Sequence, residues 1–115
     1  MGKGTSFSIV ICDRDNCVAA SGIPKKEVLE RRLSAQLEEL LEQRGQHITK
    51  AGDGKRFFPL EGIEQTACVV MPILSSGDVI GAVCLMTPDT GAVPTDTDIK
   101  IASVAAAFLG KQMEE

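Results

Sequence analysis

Cys68–Met86 reads CVVMPILSSGDVIGAVCLM. Two apolar runs flank Ser75-Ser76-Gly77-Asp78, and Ser, Gly and Asp at that spacing predict a tight β-hairpin turn at Ser76-Gly77. Neither arm alternates apolar with polar, so both faces of the hairpin must be covered. One cover is expected from helices of the same chain. The other is a ligand pocket, a partner subunit or more of the chain. With a two-residue turn, Val69, Met71, Ile73, Ile80, Ala82 and Cys84 share one face. These six are the candidate lining of a ligand pocket beneath the helical stretch Pro24–Arg44. The plain alternative is that they are filled core.

Upstream of the hairpin, Gln46–Glu64 is irregular. Ala51–Lys55 is expected to be a loop and Arg56–Leu60 a short edge strand bounded by Pro59. The string Gly52-Asp53-Gly54-Lys55 lacks the glycine spacing of a phosphate-binding loop, and Arg56 follows the lysine where Ser or Thr is required. His47 stands alone and is read as exposed or loop-anchoring, not as a ligand or base. Pro24–Arg44 is helical. Leu29, Leu33, Leu37, Leu40 and Leu41 recur on one face, a break is expected near Arg32–Ser34, and Gly45 is the expected C′ stop. Earlier still, Phe7–Cys12 and Cys17–Ala20 read as strands around Asp13-Arg14-Asp15-Asn16, whose side chains should bond their own backbone.

Downstream, Thr87–Pro94 is a connector, and Thr95 with Asp98 forms a capping pair for a helix to about Met113. That helix has two apolar stripes. One is Ile99, Ala102, Ala106, Leu109 and Met113; the other is Ile101, Val104, Ala105 and Phe108. A helix packed only on its own sheet needs one. The candidate oligomer interface is therefore Ile99, Ala102, Ala106, Phe108, Leu109 and Met113.

The order strand, strand, helix, short strand, strand, strand, helix reads as α+β. The expected architecture is GAF/PAS-like, a central antiparallel sheet with helices on both faces. A chain of 115 residues makes one domain, residues 1–115, with 1–5 outside its folded part. No apolar run reaches the ~20 residues of a membrane span, and Met1–Thr5 is no secretory signal. A cytoplasmic location without membrane contact is expected.

The net charge of −4, the interleaving of Lys25, Lys26, Arg31, Arg32 and Arg44 with Glu27, Glu30, Glu38, Glu39 and Glu42, and the absence of Trp and Tyr argue against direct nucleic-acid binding by this segment. The four cysteines, Cys12, Cys17, Cys68 and Cys84, have no paired metal-ligand spacing and read as buried free thiols. Cys12 and Cys17 flank a turn and can approach each other. No Ser/His/Asp set or metal cluster offers catalysis. A haem would lack an axial ligand, and His47 neighbours no cysteine that could carry a bilin, so no cofactor is expected.

Several segments occur together and in order: Ile11-Cys12-Asp13-Arg14-Asp15, Ser21-Gly22 before Lys25-Lys26, Glu42-Gln43-Arg44, Met71-Pro72-Ile73, Gly77-Asp78 with Ile80-Gly81-Ala82-Val83, and Ala107–Glu114. Together they resemble the GAF sensor domain of the stage V sporulation protein T / AbrB-type family of transcription regulators, over nearly the whole chain from Phe7. The resemblance implies a regulatory domain that assists homo-oligomer assembly, a dimer or larger through the terminal helix, and senses a small molecule. Only Met1–Thr5 precede the first strand, so the family's DNA-binding domain has no counterpart in the resembling stretch. Two alternatives stand beside it. One is a purely structural oligomerisation module without a ligand. The other is a GAF-type thiol enzyme such as a free methionine sulfoxide reductase.

Overall fold

A computed structural model describes residues 8–22, 25–48, 57–63, 66–87 and 94–112. Its elements in chain order are β1 (Ser8–Cys12), β2 (Cys17–Ser21), α1 (Lys25–Val28), α2 (Ala35–Glu42), β3 (His47–Ile48), β4 (Ala67–Ser75), β5 (Asp78–Met86) and α3 (Asp96–Gln112). The five strands form one antiparallel sheet in the order β2-β1-β5-β4-β3. α2 covers one face and α3 the other. The α+β expectation, a sheet with helices on both sides, holds. Pro24, the loop 51–55, residues 1–5 and Met113 lie outside the described residues.

The hairpin forms where the sequence puts it. Ser76 and Gly77 both have positive φ, 52° and 86°, as a type I′ turn demands. Beyond the turn, the register departs from the expected one. Leu74 pairs with Val79 but Ile73 pairs with Gly81, which leaves Ile80 as an extra residue, a β-bulge. A one-residue slip sends every following side chain to the opposite face. The six candidate pocket residues therefore do not share a face. Val69, Met71, Ile73 and Ile80 lie under α3, whereas Ala82 and Cys84 lie under α2. Next to the bulge, β5 crosses β1 so closely that a Cβ on Gly81 would stand 2.0 Å from the Cys12 carbonyl oxygen.

The described part of the stretch read as Pro24–Arg44 holds two helices, α1 and α2, separated around the expected break. The Ser34 hydroxyl accepts from the Leu37 N–H at 3.1 Å, capping α2, and also donates to the Phe58 carbonyl. At the other end Gly45 N–H donates to the Leu40 carbonyl and Arg44 N–H to that of Leu41, each at 3.0 Å, a Schellman motif. The left-handed C′ position is thus held by Arg44, φ 56°, and not by Gly45, which falls one residue later. The five-leucine face is also revised. Leu33, Leu37 and Leu41 are buried and Leu40 packs at their margin, but Leu29 follows α1 and is exposed.

The edge strand was misplaced as well. Among the described residues of Arg56–Leu60 only two isolated bridges form, Phe57 to Ala67 and Leu60 to Leu33. The strand at the sheet edge is β3, which among the described residues pairs with Val69 and Val70. His47 is half-buried there and stacks on Phe57, ring centroids 4.8 Å apart.

α3 begins with the expected capping box: Thr95 N–H donates to the Asp98 carboxylate at 2.9 Å, and Asp98 N–H to the Thr95 hydroxyl at 3.2 Å. Ala102, Ala106 and Gly110 bring it down on the sheet. At Gly110 the approach is so tight that a Cβ would lie 2.0 Å from the Leu74 carbonyl oxygen.

Candidate functional site

Beneath α2, side chains fill the space. Leu33, Leu37, Leu41 and Leu60 pack with Val10, Cys12, Val70, Ala82 and Cys84, and each is at most 1% exposed. Among the described residues, this layer is packed core. Under α3, Cys68, Val69, Met71, Ile73, Val83 and Leu85 meet Ala102 and Ala106 in a second core.

That second core also revises the candidate interface. Ala102 and Ala106 are buried against the chain's own sheet, with Ile99 and Leu109 packed beside them, so these four serve the fold. Of the proposed interface residues among those described, Phe108 alone stands out. It is 60% exposed, and Ile101 and Val104 beside it are 53% and 57% exposed. With Thr97, Lys100 and Ala105 these side chains line an open groove of about 550 Å³ along the outer side of α3. The second stripe read from the sequence is the bare one.

A separate cleft of about 370 Å³ runs between α3 and the outer edge of β4. Gln46, Met71, Pro72, Leu74, Ser103, Ala106, Ala107 and Lys111 line it. Only Met71 and Ala106 were among the candidate site residues. Ser103, Ala107 and Lys111 carry a four-residue spacing that places them on one flank of a helix, a signal that apolar patterning passes over.

The cysteines are placed for packing. All four are buried and free. Cys12 and Cys17 face each other across the β1–β2 pair. The Cys17 thiol donates to the Ala19 carbonyl at 3.5 Å. Contact with Cys17 by itself lowers the pKa of Cys12, but contact with Cys84 and burial outweigh it and push that thiol up. Cys17 is pushed up by its hydrogen bond with Cys12 and then by burial. Cys68, chiefly through burial, is raised to about 11. A nucleophilic thiol requires the opposite shift.

The β1–β2 turn is self-satisfied. The Asp13 carboxylate accepts from the N–H groups of Asp15 and Asn16 at 2.7 and 2.8 Å. Among the described residues no group of His, Cys, Asp and Glu is arranged to hold a metal ion. No helix among them is long and apolar enough to cross a membrane.

A family model described as "Stage V sporulation protein T C-terminal, transcription factor" matches residues 1–114. Stage V sporulation protein T of Bacillus subtilis (strain 168) is 36% identical over 110 residues, which cover 94% of this chain and 60% of that protein. The chain thus spans about three fifths of the length of the relative it matches. With a match running from the first residue to the last but one, the chain belongs to the family of stage V sporulation protein T C-terminal domains.

Proposed function

We propose that this chain is a GAF-like regulatory domain of a sporulation-type transcription regulator, working by self-association and by sensing a small molecule, without catalysis. The observation that carries the assembly half is the outer stripe of α3. Ile101, Val104 and Phe108 are each more than half exposed on a helix whose opposite side is already seated. Their spacing of three and four residues makes a continuous seam that a second copy of the same helix matches about a two-fold axis. The antiparallel sheet between two helical layers supports the GAF-like architecture. The buried thiols with raised pKa support a non-catalytic role.

Val104→Glu tests assembly, because it sets a charge in the middle of the seam at a solvent-exposed position. Sedimentation of the wild-type protein at tens of micromolar should give a dimer or larger. The variant should sediment as a monomer with an unchanged circular dichroism spectrum. A wild-type monomer, or a variant that keeps the wild-type mass, overturns the interface. Native mass spectrometry of the gently purified protein tests sensing, through extra mass that is lost on denaturation.

A second reading, a structural module that assembles without any ligand, is favoured by one feature. Beneath α2 the described side chains Leu33, Leu37, Leu41 and Leu60 pack as core, each at most 1% exposed.

A further inference from the structure

We propose that the cleft between α3 and the outer edge of β4 binds a small carboxylate with a short apolar tail. This rests on the sensing half of the function proposed above and gives it a place and a ligand class.

The cleft follows from the strand pairing. Among the described residues β3 pairs with Val69 and Val70, so from Met71 onward β4 is paired to β5 on one side and has no strand along its outer edge. α3 is pressed onto β4 at Gly110, where the Leu74 carbonyl leaves no space for a Cβ. Away from that contact the flank of α3 carries only Ala106, Ala107 and Ser103, too small to fill the gap. Met71 and Ala106 form an apolar floor, 4% and 3% exposed. A methionine floor adapts to tails of differing shape. Around it stand Gln46, Ser103 and Lys111.

The chemistry of that rim selects the ligand. Among the described residues Lys111 is the one ionised side chain lining the cleft. An ammonium, a hydroxyl and an amide over an apolar floor match an anionic head with an apolar tail. A cation would meet Lys111 with no carboxylate among the described lining residues. The volume, about 370 Å³, lies at the small end of ligand pockets and suits a small molecule.

Hexanoate is the test molecule, titrated into the full chain while amide resonances are followed by NMR, with hexan-1-ol as the uncharged control. Hexanoate should move the resonances of Met71, Leu74, Ser103, Ala107 and Lys111 at millimolar concentration, and hexanol should bind more weakly. Lys111→Gln is exposed and should leave the fold intact. It should weaken hexanoate by about tenfold and bring it level with hexanol. Ala107→Leu, also on the surface of α3, should block both. Shifts confined to Ile101, Val104 and Phe108, or an unchanged affinity in Lys111→Gln, overturn the site. Silence toward hexanoate together with a retained molecule in native mass spectrometry overturns the site and leaves the sensing reading standing. Silence in both overturns the two together.

Discussion

Gly110→Ala should destabilise the protein, although in an ordinary helix the same change stabilises. In a solvated helix interior, alanine gains about 1 kcal/mol over glycine. Here the added Cβ would stand 2.0 Å from the Leu74 carbonyl oxygen and 3.0 Å from its carbon. Both are backbone atoms of a strand paired on its far side to β5, so no rotamer change relieves the contact. α3 must lift by about 1 Å, and Ala102 and Ala106 lift with it from Val69, Met71 and Val83. Overpacking of this kind costs about 1–3 kcal/mol, and loosening the second core adds to that. The net loss is about 1–2 kcal/mol, which for a domain of this size lowers Tm by about 5–10 °C. Urea unfolding followed by circular dichroism at fixed protein concentration measures it. A second variant, Gly45→Ala, meets only the movable tip of Leu40 at 3.0 Å and should change stability far less. If Gly110→Ala is as stable as the wild type, the close seating of α3 on β4 is wrong.

Three further outcomes follow from described contacts. Ser34→Ala removes both the cap on Leu37 and the bond to Phe58, and should cost about 1–2 kcal/mol in urea unfolding, with Ser34→Thr recovering part of it. Cys12, Cys17, Cys68 and Cys84 should react with an aromatic disulfide reagent only as fast as the protein opens, and rapid labelling of native protein would contradict their burial. The raised pKa values of Cys12, Cys17 and Cys68 fix the sign of the alkaline response. Below the ordinary thiol value of 9.0, the thiols are protonated in both states and stability is full. Above it the unfolded thiols ionise while the folded ones keep their protons. Stability should therefore fall from about pH 9 upward, by at most ~1.4 kcal/mol per pH unit for each thiol, with the Cys68 contribution ending near pH 11.

What the sequence made legible was local. The Ser76-Gly77 turn, the Ser34 cap and the Thr95–Asp98 box are each written within a few residues, and each formed. The pairing of Ala82 and Cys84 with the wrong face came from one inserted residue, Ile80, which looks like any other strand residue. Gly81 beside it is the one hint, since glycine inside a strand marks a bulge or a close crossing. β3 escaped notice because two residues carry no periodicity, whereas Phe57 and Phe58 carry strand propensity in a segment that makes only bridges. The two stripes of α3 were visible, but which one faces the sheet was decided by steric access. Ala102, Ala106 and Gly110 allow the backbone to come close, and Ile101, Val104 and Phe108 do not.

A hairpin that is apolar on both faces is a hazard before its covers are in place. During synthesis Ala67–Ser75 emerges as a nine-residue, uncharged, β-prone segment well ahead of the helix that will shield it. Pro72 sits in β4 beyond the two residues that pair with β3 among those described, and it has no N–H to offer an incoming strand. The residue thus acts as a gatekeeper against stacking between nascent copies. Pro72→Val would leave the sheet pairing available and should yield more insoluble protein on refolding. The proline at the bare edge would then be there for the chain's passage to the native state more than for the native state itself.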